Sequence, residues 1–392
     1  MSGSIYGKIF TISTWGESHG AGVGVCIDGC PAGLELSETD VQTLLDRRRP
    51  GQSAFTTQRK ESDTVKILSG VFEGKTTGTP ISMMVVNEDQ HSKDYSALEK
   101  VFRPGHADFT FTSKYGIRDH RGGGRSSGRE TIARVAAGAV AMKMLKELGI
   151  EIHAYATQIA GIDISRDRFD IHEAADNPLC MPDKEAARKC AEYLNELKEK
   201  GDSAGGIIEC RVDGLKPGIG QPVFDKLDAA LAGAVMSIGA VKGFEIGAGF
   251  EAAGLTGSQN NEGFYASKTD GGVEKLSQDE GTASGIQTDG MKNISISGKA
   301  VRSGGTLGGM SDGGPLIFRA AVKPTPSISV PQETVDSEGR STELVIHGRH
   351  DPVIVPRAVV VVESMAAVTI ADLILQDMGS RMDYVKEYYI RK

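Results

Sequence analysis

Glu130-Thr-Ile-Ala-Arg-Val-Ala-Ala-Gly-Ala-Val-Ala-Met-Lys-Met-Leu-Lys-Glu-Leu148 is the stretch on which the fold turns. Ile132, Val135, Ala136, Ala139, Val140, Met142 and Leu145 recur at helical spacing and form one broad apolar face over 130–148. Ala137 and Gly138 keep the remaining surface small as well. A helix that is apolar on more than one side, with backbone open to close approach, belongs between layers and not on a surface. Ala229, Ala230, Ala232, Gly233 and Ala234 predict the same for a helix over 223–237.

Working outward, helices are expected at 38–48, 183–200 and 362–376. Ser37, three residues ahead of Asp40, opens the first of these with a capping-box pattern. Strands are expected at 8–13, 23–28, 64–72, 81–87, 206–213 and 316–322, where β-branched residues are flanked by Gly, Pro or Asn. No long Pro- or Ser-rich linker divides the chain and no fixed-period repeat is present. The expectation is one α+β domain over 1–392. Residues 260–299, polar, Gly-rich and partly acidic around Gln278-Asp279-Glu280-Gly281, read as an inserted surface segment.

The 392 residues carry 44 basic and 52 acidic side chains, a net charge of −8. That acidity argues against a dedicated nucleic-acid or anionic-membrane binder, so any anion must be held by local basic clusters. Five cysteines without CxxC spacing argue against zinc and a disulfide framework, and for free thiols in a reducing compartment. The N-terminus lacks the apolar run of a signal peptide. Residues 229–250 and 354–375 are apolar but interrupted by charges, so neither is expected to span a membrane. A cytoplasmic protein is expected.

The strongest local chemistry lies in Arg118-Asp-His-Arg-Gly-Gly-Gly-Arg-Ser-Ser-Gly-Arg-Glu-Thr-Ile-Ala-Arg134. Three glycines expose backbone N–H groups just where Ser126 and Ser127 should start a helix, with Arg121, Arg125, Arg129 and Arg134 around it. Such a start suits phosphate or carboxylate. It is not a P-loop, because no Gly-Lys-Ser/Thr follows. Arg47-Arg48-Arg49 ends the helix over 38–48, and Arg103-Pro-Gly-His106 forms a turn presenting a cation and a histidine. His19 lies between Ser18 and the glycines at 20, 22 and 24, whose spacing is not that of a dinucleotide fold. Arginines nearby would lower a histidine's pKa and a bound phosphate would raise it, which suits an acid that acts only on an anionic substrate. Lys323-Pro-Thr-Pro-Ser327 adds a cation and two hydroxyls, and Asp351 is either a turn former before Pro352 or a base.

Seven motifs, taken together and in order, resemble the chorismate synthase family. They are Gly16-Glu-Ser-His-Gly20, Asp46-Arg-Arg-Arg-Pro-Gly51, Thr56-Thr-Gln-Arg59, Phe102-Arg-Pro-Gly-His-Ala-Asp108, Arg121-Gly-Gly-Gly-Arg-Ser-Ser127, Lys323-Pro-Thr325 and Gly348-Arg-His-Asp-Pro352. The resemblance implies a lyase that eliminates phosphate from 5-enolpyruvylshikimate 3-phosphate in an anti-1,4 sense to give chorismate, with reduced FMN required. NADPH enters only if the enzyme reduces its own flavin. It also implies a single-domain β-α-β sandwich, with helices held between antiparallel sheets, assembled as a homotetramer.

By the same resemblance His19 protonates the reduced flavin and His106 serves the departing phosphate. Asp351, with Ser18 and Ser127, assists removal of the ring proton. Arg48, Arg129, Arg134 and Arg349 hold the substrate's charges. FMN contacts fall on Arg125, Ser126, Ser127, Gly239, Ala240, Gly308, Lys323, Pro324, Thr325, Pro326, Ser327 and Arg349. Two departures stand out: Gly239 replaces the family's usual asparagine, leaving backbone groups only, and Ala54 replaces a frequent arginine. The competing classes are an anion- or RNA-binding module, disfavoured by the aromatic-poor Arg clusters, and a flavoprotein in which FMN undergoes net redox change.

Overall fold

The computed structural model describes residues 3–51, 55, 61–88, 99–268, 294–298, 302–346 and 351–391. One sheet gathers β1 (Ile5–Tyr6), β2 (Thr11–Gly16), β3 (Gly22–Asp28), β4 (Val65–Ile67) and β5 (Ile81–Val86) in the order β1-β2-β3-β5-β4. A second gathers β6 (Glu151–Ile159), β7 (Ile162–Asp163), β8 (Gly206–Asp213), β9 (Val241–Ile246) and β10 (Leu316–Val322) in the order β9-β10-β8-β6-β7. Every pairing within these two sheets is antiparallel. The period-2 pattern of β3 sets the first sheet's inner face. Val23, Val25 and Ile27 are fully buried opposite Val85, Met83 and Ile81, while Gly24 on the other face lies under the Trp15 ring.

The α-helices of eight residues or more are α1 (Glu38–Arg48), α2 (Asp108–Tyr115), α3 (Thr131–Glu147), α4 (Lys184–Glu199), α5 (Leu227–Met236), α6 (Val355–Asp377) and α7 (Met382–Arg391). α3 packs on β2, β3 and β5 and on α6; α6 packs in turn on β6 and β8 and on α5. The class is therefore α+β. Small residues make the α3–α6 contact: a Cβ on Gly138 would lie 2.3 Å from the Ser364 Cβ. α6 is long and apolar enough to cross a membrane, but 83% of its most apolar window is buried inside the protein.

Several expected boundaries shift for identifiable reasons. The strand expected at 8–13 starts at Thr11 because the backbone N–H groups of Lys8, Ile9 and Phe10 donate to the Asp372 carboxylate, at 2.7 to 3.0 Å. The strand expected at 64–72 is broken by Gly70, whose φ of +81° turns the chain against Ile81. The helix expected at 362–376 begins earlier, at Val355, because Pro356 falls in its first turn, where the missing N–H costs nothing. The helix expected at 223–237 begins later, at Leu227. β6, whose sequence mixes Ala and Gln with β-branched residues, was not anticipated, nor were β9, α2 and α7. Phe264–Lys268 pairs with Ile294–Gly298, so the segment expected to be inserted leaves and returns on one antiparallel ribbon.

Gly138→Ala is expected to destabilise the protein by about 1–3 kcal/mol in urea unfolding through overpacking against Ser364. The matched control, Gly233→Ala on α5, meets open space and is expected to gain about 0.5–1 kcal/mol from helix propensity. Equal effects would refute the close-approach account.

Candidate active site

The loop after β2 is clamped from two sides. Asn87 donates from Nδ2 to the carbonyls of Glu17 and Gly20, both at 2.8 Å, and accepts from Arg129 Nε at 2.8 Å. Gly122 comes from the other side with φ +142°; a Cβ there would lie 2.5 Å from His19 Cδ2 and 3.0 Å from Ser18 Oγ. Only glycine permits that approach, so the Gly-rich loop positions Ser18 and His19. Ser127 then caps the turn leading into α3, its Oγ accepting from the Arg129 N–H at 3.3 Å. Arg125 donates to Gly16 O at 3.0 Å, to Thr14 Oγ1 at 2.6 Å and to Thr14 O at 3.1 Å. It fastens this loop to the end of β2. Ser126 is exposed, its N–H bonded to Gly123 O.

Below this loop lies a buried ionic cluster. Arg48, at the C-terminal end of α1, is 1% exposed, yet its Nε, Nη1 and Nη2 find no hydrogen-bond partner among the described residues. Asp63 Oδ2 stands 3.6 Å from Arg48 Nη2, while Asp63 Oδ1 accepts from Arg129 Nη1 at 3.2 Å. Glu61 lies 3.4 Å from the same Arg129 nitrogen. Burial pushes the Arg48 pKa down to about 9; Asp63 opposes this and Arg357 and Arg129 add to it. Arg357 joins the far side, donating to the Arg48 carbonyl at 3.0 Å and pairing with Asp351 at 2.6 Å. Unmet donors on a buried cation are costly. An oxyanion is the group that would satisfy them.

A second group forms around the Pro-Gly turn. Arg103 and Asp108 make a two-pronged ion pair at 2.7 Å on each prong, and Arg118 reaches the same carboxylate at 2.9 Å. Between them His106 Nδ1 meets Pro104 O at 3.0 Å, and Nε2 meets Ser327 Oγ at 2.9 Å. Burial and then Arg103 lower the His106 pKa to about 4, with Lys323 adding to the shift. Lys323 Nζ donates to Gly105 O at 2.8 Å, and its backbone N–H donates to Ala240 O at 2.9 Å. Thr325 Oγ1 is buried without a hydrogen-bond partner among the described residues.

These groups are bonded into one circuit. Ser203 Oγ donates to Thr325 O at 2.7 Å, and Ala204 N donates to Pro352 O at 2.8 Å, next to Asp351. From Ala240 the turn leads back to Ser237, whose Oγ and O accept from Arg134 at 2.6 and 3.1 Å, one turn along α3 from Arg129. Ser18, His19, Arg48, His106, Ser127, Arg129, Arg134, Ala240, Lys323, Thr325, Ser327 and Asp351 all lie on this circuit or beside it, as do Gly239, Pro324 and Pro326. Gly308 does not: its hairpin bonds the start of α5, where Leu227 N donates to Gly309 O, while Ser237 follows that helix's end, about 15 Å away. Arg349 and Ala54 lie outside the described residues, as do the motifs at 56–59 and 348–350.

A family model described as chorismate synthase matches residues 10–375. The chain belongs to the chorismate synthase family. It is 61% identical over 389 residues to a chorismate synthase of Lachnospira eligens, covering 99% of this chain and all of that one. The chorismate synthase of Methanosarcina mazei is 51% identical over 379 residues, 96% of this chain and 97% of that one. A solved structure, "Crystal Structure of Chorismate Synthase", superposes with a TM-score of 0.71 at 31% identity over 98% of each chain. The protein is accordingly a lyase.

Sequence reasoning missed Asp63, Asn87, Ser203 and Arg357, each of which holds a chorismate synthase motif residue in place. Only Asp63 gave any hint, as an acid four residues past the Thr-Thr-Gln-Arg motif. Asp63→Asn removes the carboxylate shared by Arg48 and Arg129, and a loss of about 3–5 kcal/mol is expected in urea unfolding. A change below 1 kcal/mol would show that the cluster is not energetically coupled.

Proposed function

We propose that this enzyme eliminates phosphate from 5-enolpyruvylshikimate 3-phosphate, anti-1,4, to give chorismate, with reduced FMN as its cofactor. The observation that carries this reading is Arg48, a buried guanidinium beside Arg129 whose donors are unmet among the described residues. With Arg134 and Arg349 these side chains would hold the substrate's phosphate and carboxylates. The residues present also fit FMN. Among the described residues, the Thr325 hydroxyl is buried without a partner and nothing lies within 4 Å of a Cβ placed on Gly239. Ser126, Ser127, Gly239, Ala240, Lys323 to Ser327 and Arg349 would contact it. The missing side chain at Gly239 leaves its backbone groups for that contact. When bound, reduced FMN lends electron density to the substrate and recovers it, so the reaction has no net redox change.

His106 is the acid. In the free enzyme its lowered pKa leaves the ring neutral at pH 7. A phosphate dianion beside it raises that pKa, so the ring takes up a proton when the substrate arrives and gives it to the departing phosphate. Asp351, ion-paired to Arg357, and Ser18 and His19, held by Gly122, face the remaining proton movements. The packing of α3 and α6 supports the sandwich of helices between antiparallel sheets. Exposed Phe224 and Phe250 support assembly into a homotetramer. We place the enzyme in the cytoplasm.

Under anaerobic conditions with dithionite-reduced FMN, the protein is expected to release phosphate from the ester while the flavin stays reduced. Absence of release refutes the proposal, and stoichiometric flavin oxidation would favour a net-redox flavoprotein. NADPH supporting turnover without dithionite would assign the flavin reduction to the enzyme itself. His106→Ala is expected to lower kcat about 10²- to 10⁴-fold with FMN binding largely kept. Equal loss of both would make the residue structural. In NMR titration of the ligand-free protein His106 should stay neutral down to about pH 4. Because the unfolded histidine protonates near pH 6.5, His106 should cost folding stability as pH falls from 6.5 to 4, and His106→Ala should flatten that slope.

A further inference from the structure

The Arg103-Pro104-Gly105-His106 turn leaves the His106 ring one choice of tautomer. The Pro104 carbonyl, 3.0 Å from Nδ1, can only accept, so in the neutral ring Nδ1 carries the proton and donates. Nε2 is then a lone pair, and the group 2.9 Å from it is the Ser327 hydroxyl, which donates to it. The nitrogen from which His106 would deliver a proton is thus already covered by an O–H. We propose that Ser327 relays the proton of His106 to the departing phosphate. The proposal rests on His106 being the acid.

The two partners are held at a fixed separation. Lys323 Nζ bonds Gly105 O, and at Gly105, with φ +69°, a Cβ would lie 2.7 Å from the Pro326 Cβ. Ser203 ties down the intervening Thr325 carbonyl. Arg103 and Lys323 disfavour charge on the ring and Asp108 favours it, but Asp108 is already paired with Arg103 and Arg118.

Once the ring is charged, both nitrogens donate, so Ser327 Oγ must turn to accept from Nε2 and its own hydrogen points away. The Nε2–H bond breaks as a new Oγ–H bond forms, while the old Oγ–H bond breaks as an O–H bond forms on a phosphate oxygen. The electron pair of the breaking C–O bond stays on that phosphate. The ring ends neutral, the serine ends as a hydroxyl, and the phosphate has gained one proton.

The test is made in the full-length enzyme with Ser327→Ala and the isosteric pair Ser327→Val and Ser327→Thr. Phosphate release, FMN affinity by flavin titration, and the His106 pKa by NMR of ¹³C-labelled histidine are measured. Ser327→Ala is expected to lower kcat about 100-fold, with KM within about threefold and FMN affinity, to which Ser327 also contributes, reduced far less than kcat. It should also raise the His106 pKa, because a donor to the neutral ring is lost. Ser327→Thr, which keeps a hydroxyl, is expected to exceed Ser327→Val at least about tenfold in kcat. Wild-type kcat in Ser327→Ala, equal rates in the Thr and Val variants, or a loss confined to FMN affinity each overturns the relay. A slow His106→Ala beside a fast Ser327→Ala removes the relay and leaves the acid. A fast His106→Ala removes the acid role itself.

Discussion

Arg48 is the constraint around which the rest is arranged. A guanidinium taken out of water loses solvation that only hydrogen bonds or counter-charge can restore. Asp63 supplies counter-charge at 3.6 Å, beyond hydrogen-bond range, so among the described residues the charge is partly balanced and the donors are not. Each unmet buried donor costs on the order of 1–3 kcal/mol, more where it is charged. The free protein therefore carries a local deficit that an acceptor-rich anion would remove. Such a site persists only where surrounding structure over-determines it.

That surrounding structure is the helical layer. α1 ends at Arg48, α3 begins beside Arg129, and α6 begins beside Arg357, so three helices deliver their cations to one place. Lys143 pairs with Asp40 at 2.6 Å and Arg47 with Glu363 at 2.7 Å, fixing α1 against α3 and α6. Glu363 also accepts from the Ala154 N–H of β6 at 2.8 Å, extending the tie to the second sheet. The helix over which the sequence was most explicit is thus the one that sets the site's dimensions.

The sequence made the parts legible in proportion to how local their physics is. The capping box at Ser37 and Asp40 forms as read, with Ser37 N donating to Asp40 Oδ2 at 2.8 Å. The small-residue face of α3 signalled burial because that depends on composition along one helix. The same reading fails for α5, where of Ala229, Ala230, Ala232, Gly233 and Ala234 only Ala234 is buried, and Ala229 and Gly233 are exposed, because Leu227, Leu231 and Val235 make its packed face. Asn87, Ser203 and Arg357 were silent because each is a single polar residue whose meaning comes from a partner far away in the chain. Arg125 shows the converse. It sits in the most anion-like motif of the chain, yet its guanidinium is bonded to Gly16 and Thr14 carbonyls. Pattern located the loop, and only geometry distinguished the arginine that fastens it from those left with donors to offer. Arg103 was read as presented with His106; its fork in fact closes on Asp108, so it shapes the turn and the histidine's electrostatics.

The two halves of the site ride on different layers. Ser18, His19, Arg48 and Arg129 belong to the first sheet and the helices packed on it. Lys323, Thr325 and Ser327 follow β10 of the second sheet, Ala240 precedes β9 and Ser203 precedes β8. The strand-like segment Asp351-Pro352-Val353 runs between them, bonded to Ala204 on one side and through Arg357 to Arg48 on the other. The helices packed between the sheets, α3 on the first and α6 on the second, fill the space that separates them. Gly138 meets Ser364 so closely in that layer that a Cβ there would lie 2.3 Å from the Ser364 Cβ, so a methyl group one turn beyond Arg134 would strain the packing that carries the site. Small residues in the core and arginines at its edge are in this sense one feature: the first allow the layers to close, and the second require that closure to be held to fractions of an ångström.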